Sequence, residues 1–255
     1  MYKFFIRMKL FIQVVASVFN PMILLEMHYN ILFDQVALIG PSCLLITGMT
    51  SFFISLVLNL QIVKEFLYLN ATDLTASILA ISFIRELSPV LTSIILIGKT
   101  CSFFTSEIAT MSVTEQIDSL LVLGINPIRY LILPRVLAVL ICLPILNLFS
   151  LLTSFISSAF ICFVFYSIYP VFFFDSLFYG FFMIDIYKSM LKVLIFGLFI
   201  SIISCVWGIT TSGGSQGVGL STTSSVITSL VLVFVLNFIL SYVMFSTLGS
   251  SFEKL

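Results

Sequence analysis

Residues 84–100 read IRELSPVLTSIILIGKT, and the order of charge and hydrocarbon in this stretch decides how the chain folds. An ionisable pair, Arg85 and Glu86, precedes a run of aliphatic residues that does not alternate with polar ones. Such a run predicts a buried or membrane-spanning helix. The stretch ends on Gly98-Lys99-Thr100, which is also how a nucleotide-binding loop ends. The residues before Gly98 and the composition of the chain separate these two interpretations.

A phosphate-binding loop is excluded by the residues that precede Gly98. The pattern G-x-x-x-x-G-K-[ST] needs glycines, because the backbone amides must curl around the phosphates. The chain has Ser93 at the first glycine position and apolar residues from Ile94 to Ile97. The glycines between 213 and 219 do not form G-x-G-x-x-G after a soluble strand either. We therefore do not expect the chain to be an ATPase.

The composition indicates that lipid is the solvent for most of the chain. Of its 255 residues, 60% are hydrophobic and only 9% are charged, against about 25% in soluble domains. The mean hydropathy is +1.25. A net charge of zero argues against a nucleic-acid partner. The five cysteines form no CxxC pair and are expected to be small buried side chains, so neither a metal site nor a cofactor is predicted.

Five apolar stretches are long enough to cross a bilayer, for which about 20 residues are needed. Because backbone groups must be paired within lipid, they are expected to be helices. The predicted spans are residues 36–62, 74–97, 131–165, 187–210 and 223–247. Residues 1–30 predict an amphipathic helix at the membrane surface, and the single histidine, His28, cannot build a metal site alone. The predicted fold class is an all-α integral membrane protein.

The connections between the spans differ in character. Residues 98–130 are the most polar internal segment, residues 166–186 are rich in aromatic side chains, and residues 210–223, TTSGGSQGVGLSTT, predict a turn. Basic residues favour the inner side of a membrane. An inside N-terminus places six there and three outside. The six are Lys3, Arg7, Lys9, Lys99, Arg129 and Arg135, and the three are Lys64, Lys188 and Lys254.

The charges within the predicted spans have two possible roles. Arg85 and Glu86 are adjacent and project roughly 100° apart on a helix, so each is expected to find its own partner. Pro89 leaves a carbonyl without its helical donor. Lys192 and Asn237 place polar groups in the fourth and fifth spans. These groups either hold helices together or line a polar cavity for an anionic headgroup, and spacing alone leaves both open.

The polar segment also contains a candidate amphipathic helix, residues 105–123, with Gly124 as its end. Its carboxylates alternate with apolar residues, so it either docks a soluble partner or lies at the interface. Glu115 and Asp118 lie three residues apart, which suits a charged docking surface better than acid–base chemistry. The absence of HExxH and GxSxG and the single histidine leave no catalytic residues to predict.

Three motifs together resemble the MlaE-type (YrbE-type) permeases, the membrane subunits of lipid-transporting ABC systems. They are R-E-L-x-P-V-L-T from Arg85, E-I-x-T-M-x-V-T-E-Q-I-D-x-L from Glu107, and P-x-R-Y-L-x-x-P-R from Pro127. The resemblance extends over residues 28–248. It implies a single permease domain, residues 1–255, with an interfacial helix at 1–30, a five-span core at 36–250 and a coupling helix at about 111–121. Asn237 departs from the family, which often has Asp at that position.

The resemblance also implies partners and site residues. We expect a homodimer with a phospholipid pathway, a separate ABC ATPase subunit that hydrolyses ATP, and an MCE-domain substrate-binding protein on the opposite face. The implied lipid-pathway residues are Arg85, Glu86, Lys192 and Asn237. The implied ATPase-coupling residues are Glu107, Met111, Thr114, Glu115, Gln116 and Asp118. The expected location is the plastid inner envelope if the gene is organellar, and otherwise a bacterial inner membrane. The alternative function is a non-transporting scaffold of an envelope complex.

Overall fold

The computed structural model describes residues 2–18, 29–69, 72–180 and 183–245. Regular structure in these ranges is entirely helical. The α-helices are α1 Tyr2–Val18, α2 Tyr29–Tyr68, α3 Thr72–Ser82, α4 Ser88–Leu96, α5 Ser102–Val113, α6 Gln116–Val122, α7 Leu133–Tyr166, α8 Pro170–Gly180, α9 Met183–Ile209 and α10 Gly214–Phe245. The predicted surface helix is described as far as residue 18, and His28 and Lys254 lie outside the described residues.

Within the described residues, five helical stretches are long and apolar enough to cross a membrane: Tyr29–Tyr68, Thr75–Val113, Ile128–Tyr166, Met183–Ile209 and Gly214–Met244. The shortest has 27 residues, a length of about 40 Å at the rise of an α-helix, which exceeds a bilayer core of about 30 Å. The predicted fold class, an all-α integral membrane protein with an N-terminal helix and five spans, is confirmed.

The second span is longer than predicted, because residues 98–113 continue the helix instead of leaving lipid. Their hydroxyl groups donate to carbonyls of their own helix: Ser102 to Gly98 O at 2.7 Å and Thr105 to Cys101 O at 2.8 Å. A hydroxyl satisfied in this way adds little polarity to a helix. The end of this span was predicted from composition at residue 97. That prediction is wrong, because about two-fifths of the span lies beyond residue 97.

Three wider π turns interrupt these helices, at Phe83–Leu87, Ile97–Cys101 and Ile128–Ile132. Two of them end two residues before a proline, Pro89 or Pro134. A proline ring clashes with the carbonyl four residues earlier and supplies no N–H, so a wider turn there relieves the clash. The second π turn has no such proline, and nothing in the structure explains it.

Two predicted connections are partly helical. The aromatic segment 166–186 contains α8, which opens on a proline and buries Phe173 and Leu177. The predicted turn 210–223 is much shorter, because α10 begins at Gly214. Ser221 and Thr222 donate to the carbonyls four residues before them, at 2.6 and 2.7 Å, which lets a hydroxyl-rich sequence remain helical.

The described chain forms two compact units. The first draws on Met1–Cys43, Ser93–Leu143 and Leu194–Phe234. Its core joins the inner face of α1, through Val14 and Val18, to Ile108, Ile132 and neighbouring residues of α7 and α9. The outer face of α1 exposes apolar side chains, namely Phe5, Ile6, Met8 and Ile12. This pattern fits a helix whose outer side contacts lipid.

The second unit draws on Leu44–Thr92, Pro144–Val193 and Val235–Leu255. Its apolar core includes Phe83, Ile84 and Phe173. Beside this core, hydroxyls join α2 to α7: Ser51 pairs with Thr153 at 2.6 Å and Ser55 with Ser158 at 2.9 Å. Small polar side chains let helices approach closely in lipid, where apolar burial gives no driving force.

Candidate functional site: an intramembrane charge cluster and an exposed docking segment

Arg85 lies in the first π turn and pairs with a carboxylate of α9. Its Nη2 donates to Asp185 Oδ2 at 3.1 Å. Asp185 is 1% exposed and stands in the first turn of α9, where the helix dipole favours negative charge. The pair joins the second span to the fourth.

Glu86 points to a different partner, as its angular separation from Arg85 predicts. Lys192 Nζ donates to Glu86 Oε2 at 3.1 Å and also to the backbone oxygen of Arg85 at 2.9 Å. That oxygen is the one that Pro89 deprives of its helical N–H. The carbonyl that Pro89 was expected to free is therefore bonded by Lys192, and its expected place in a polar cavity stays a prediction.

The fifth span completes the cluster through Asn237 and Ser241. Asn237 Nδ2 donates to Glu86 Oε2 at 2.9 Å, and Ser241 donates to Glu86 Oε1 at 2.6 Å. Lys192 donates to Ser241 at 2.8 Å. An amide at position 237 therefore serves the carboxylate of Glu86 as a donor, which an ionised Asp could not do.

The charge cluster, defined as Arg85, Glu86, Asp185 and Lys192 with Asn237 and Ser241, is electrically balanced. Two cations face two carboxylates, and all four lie in membrane-spanning helices. Lys192 is fully buried, whereas Glu86 keeps 43% of its side chain exposed and Arg85 keeps 18%. Arg85 and Glu86 are thus the accessible members, and Lys192 is an internal counter-ion.

The polar segment between the second and third spans exposes a short helix. The predicted helix 105–123 is broken, because α5 ends at Val113 and Glu115 has a φ of 60°. That left-handed conformation is uncommon for a residue with a Cβ atom. The implied coupling helix 111–121 is corrected accordingly: Met111 lies in the last turn of the long span, Thr114 and Glu115 form the break, and Gln116 opens α6.

The docking segment, defined as residues 114–123, combines an anchored side with an exposed one. Ile117 is 8% exposed and packs into the core of the first unit. Leu121, Val122 and Leu123 are 56%, 89% and 73% exposed. Thr114, Glu115, Gln116 and Asp118 are also exposed. Acidic and apolar groups therefore share one protruding surface.

Glu107, an implied coupling residue, belongs to a different structure. Its carboxylate lies 2.8 Å from Nη2 of Arg135, whose guanidinium stands over the Phe104 ring at 5.5 Å. Arg135 is 3% exposed and lies inside α7, so counting it as a basic residue of a connection was wrong. Lys99, also counted there, lies within the second span.

Sequence reasoning missed Asp185 and Ser241 as members of the cluster. Asp185 precedes Lys192 by seven residues, or about two helical turns, and Asn237 precedes Ser241 by four. Each pair therefore occupies one helix face, and that spacing was the available signal. Ser88, Asn147 and Ser189 were also missed. They connect α4, α7 and α9, because Ser88 donates to Asn147 Oδ1 at 2.7 Å and Asn147 Nδ2 donates to Ser189 at 3.1 Å.

The fold and site define a class: helical membrane proteins with several spans, an ionic cluster within the spans and an exposed helix between two spans. The family model described as Permease MlaE matches residues 32–243. The chain belongs to the MlaE permease family, and it is a permease of the ABC-transporter type.

Three relatives illustrate the similarity. The chain is 50% identical to the probable ABC transporter permease protein ycf63 of Porphyra purpurea, over 89% of this chain and 86% of that one. It is 38% identical to the probable ABC transporter permease protein slr1045 of Synechocystis, over 86% and 83%. It is 41% identical to protein TRIGALACTOSYLDIACYLGLYCEROL 1, chloroplastic, of Arabidopsis thaliana, over 89% and 65%. The chain is an integral membrane protein of a plastid or of a bacterial inner membrane.

Proposed function

We propose that the chain is the membrane permease subunit of an ATP-driven phospholipid transporter. Two copies form the lipid pathway, a separate ABC ATPase subunit docks on the docking segment and hydrolyses ATP, and an MCE-domain protein binds the opposite face. In a plastid, the proposed membrane is the inner envelope. Family membership supports the ATPase partner, because an ABC permease acts with an ATPase.

The charge cluster is the observation that carries the lipid assignment. An ionisable side chain in the bilayer core costs about 2.5–3.5 kcal/mol on insertion scales, so four of them in spans need a reason to be there. A purely structural clamp would be best served by full burial. Glu86 is instead almost half exposed while bonded to three groups of the fourth and fifth spans.

The headgroup contact follows from which members are accessible. Lys192 is enclosed and balanced by Glu86, so it holds the cluster together instead of binding phosphate. Arg85 and Glu86 present the accessible surface to a headgroup passing the second span. The permease makes and breaks no covalent bond. It supplies a lipid affinity that differs between two conformations, without which ATP could drive no movement.

The docking segment supports the ATPase assignment. A helix anchored by one buried residue and exposing carboxylates beside apolar groups suits insertion into a groove of a soluble partner. Glu107 has its own partner in Arg135, which stabilises the end of the second span beneath the segment. We therefore assign direct contact to Thr114, Glu115, Gln116 and Asp118, and support to Glu107 and Met111.

Lipid retention tests the pathway. The permease complex is purified in mild detergent, and bound lipids are counted by native mass spectrometry. Arg85→Gln removes the accessible cation that a phosphate would contact, and we expect it to reduce the bound phospholipid. Arg129→Gln is the matched control, because Arg129 is exposed and lies outside the cluster. Equal phospholipid retention by the wild type and both variants would contradict the pathway.

Co-purification tests the docking surface. Glu115→Lys reverses one exposed charge and should abolish recovery of the ATPase, while membrane insertion stays normal. Lysine has the same steric difficulty as glutamate at a φ of 60°, so backbone strain is matched. Glu65→Lys, at another exposed acidic residue, should retain the ATPase. Full ATPase recovery with Glu115→Lys would show that the docking segment is misplaced.

The second candidate is a membrane scaffold that anchors a lipid-trafficking complex without transporting lipid. The pairing of every charge in the cluster with another side chain of the chain favours it, since such a network also holds helices together. A scaffold predicts that Arg85→Ala with Glu86→Ala weakens assembly and leaves lipid flux by the assembled complex unchanged.

A further inference from the structure

A small polar cavity lies in the first unit and shares no residue with the charge cluster or the docking segment. Its volume is about 300 Å³, and α1 contributes one basic side chain to it. The remaining wall comes from the connection that follows α9 and from the first turns of α10. The lining residues are Arg7, Thr210, Thr211, Ser212, Gly217, Leu220, Ser221 and Ser224. Apart from Gly217 and Leu220, every member of the wall carries a cation or a hydroxyl.

Arg7 is held in a defined position at this cavity. Its guanidinium carbon lies 4.5 Å from the centre of the Trp207 ring, and its Nε donates to Thr210 Oγ1 at 3.0 Å. Neither contact uses the terminal nitrogens. Among the described residues, no carboxylate forms an ion pair with Arg7. Burial lowers the pKa of Arg7 from its ordinary value, but arginine remains charged at neutral pH. A neighbouring anion would compensate this desolvation.

The cavity lies at the level where spans end. Ser112, next to the end of α5, donates to Ile209 O at the end of α9 at 3.2 Å, so both spans terminate together. The cavity begins at the next residue of the chain, Thr210. On α1, Phe5 lies two residues before Arg7 and Met8 directly after it, and they are 70% and 47% exposed. A hydrocarbon-facing helix side beside a cationic pocket matches the two ends of a phospholipid.

We propose that this cavity binds the phosphate of an anionic phospholipid headgroup and so fixes α1 to the membrane surface. A guanidinium recognises phosphate oxygens by paired hydrogen bonds, and hydroxyls add further donors. The volume fits a headgroup and is too small for acyl chains, which would lie along the exposed face of α1. The proposal concerns an anchoring site and does not depend on lipid transport.

The single tryptophan of the chain makes the site directly observable, because Trp207 is the residue under Arg7. Purified full-length permease in detergent is titrated with short-chain phosphatidylglycerol while tryptophan fluorescence is recorded. We expect a saturable spectral change. Diacylglycerol with the same chains lacks the phosphate and should bind at least about tenfold more weakly, the factor expected for a lost charge-assisted hydrogen bond. Inorganic phosphate alone should give no saturable change at the same concentrations.

Variants of α1 separate the charge from general effects on the helix. Arg7→Gln should weaken phosphatidylglycerol binding about fivefold or more, and Arg7→Lys should restore part of it. Lys9→Gln is the matched control, because Lys9 is an exposed base on the same helix and does not line the cavity. Equal weakening by Arg7→Gln and Lys9→Gln would overturn the proposal.

The ligand series decides the matter even if Arg7→Gln fails to fold. An equal response to diacylglycerol and phosphatidylglycerol would show that the phosphate is not recognised, and would overturn the proposal. Inorganic phosphate binding as tightly as the lipid would show an anion site that is not a lipid site, and would also overturn it. Circular dichroism of each variant confirms that the helices are retained.

Discussion

Lys192 is the side chain on which the charge cluster depends. It is fully buried in α9 and donates to Glu86, to Ser241 and to the backbone oxygen of Arg85. A buried ammonium without partners would be strongly unfavourable, and a carboxylate that loses its counter-ion is unfavourable for the same reason. The lysine therefore links three spans. Its removal should destabilise the protein, because Glu86 would then lack its counter-ion.

Replacement of Lys192 by Met should destabilise the protein by about 1–3 kcal/mol, since Glu86 and the Arg85 carbonyl lose a donor. The measurement is the thermal unfolding midpoint in detergent, with Lys64→Met, at an exposed lysine, as the control. Adding Glu86→Gln to Lys192→Met should recover part of the loss, because the unpaired carboxylate is then gone. If the two substitutions destabilise the protein additively, Lys192 and Glu86 do not interact as an ion pair.

The individual charges illustrate how much a sequence tells about side-chain partners. The adjacency of Arg85 and Glu86 correctly predicted separate partners, because helical geometry fixes their directions. It could not predict Asp185, since the partner of Arg85 is 100 residues away and depends on how the spans pack. Arg135 was wrongly assigned to a connection, because the sequence does not distinguish a buried arginine from an exposed one. Only the structure shows its partner, Glu107.

Helix α9 approaches α5 closely in the first unit because Gly208 has no side chain. A Cβ atom there would lie 2.7 Å from Cβ of Ile108, which is fully buried and branched at that atom. Close approach at glycine is a common way for helices to pack in membranes. The contact holds the end of the fourth span to the part of the second span that composition failed to predict.

Gly208→Ala should therefore destabilise the protein by about 1–3 kcal/mol through overpacking, although alanine is the better helix former. Gly40→Ala is the control, because a Cβ atom on Gly40 meets nothing within 4 Å. Thermal unfolding of both variants in the same detergent makes the comparison. If Gly208→Ala is as stable as Gly40→Ala, α5 and α9 do not pack as described.

The π turn at Phe83–Leu87 contains Arg85, whose backbone oxygen accepts a hydrogen bond from Lys192 of the cluster. Pro89→Ala supplies an N–H that competes with Lys192 for the oxygen of Arg85. We expect an unfolding midpoint equal to or above that of the wild type, together with reduced phospholipid flux in the reconstituted complex. Pro41→Ala in α2 is the control, because no π turn precedes it, and it should leave flux unchanged. Normal flux with Pro89→Ala would separate the π turn from transport.

Element boundaries were predictable only where composition changes at the end of a helix. The third and fourth predicted spans end within a few residues of the observed ones, because apolar residues continue to their ends. Residues 98–113 and 214–222 were misjudged, since hydroxyl side chains that bond to their own helix look polar in a sequence. The break at Glu115 could not be predicted, because glutamate rarely adopts a positive φ.

At the scale of the whole molecule, three features have separate proposed roles. We propose that the charge cluster supplies accessible polar groups within the spans, that the docking segment binds an ATPase, and that the Arg7 cavity binds a headgroup. The five-span fold and the family were within reach of the sequence, because hydropathy and three motifs specify them. The mutual placement of the charges could not be predicted from the sequence, because it depends on packing between distant segments.

ATP-driven movement of labelled phospholipid between vesicles, by the permease reconstituted with its ATPase and MCE-domain partners, tests the proposed transport through the cluster. Arg85→Ala with Glu86→Ala should lower the rate about tenfold or more, equivalent to about 1.4 kcal/mol, while the complex stays assembled. Asp175→Asn, at an exposed residue of α8 outside the cluster, should match the wild type. Phospholipid movement at the wild-type rate by the assembled double variant would contradict a lipid pathway past the charge cluster and would favour the scaffold.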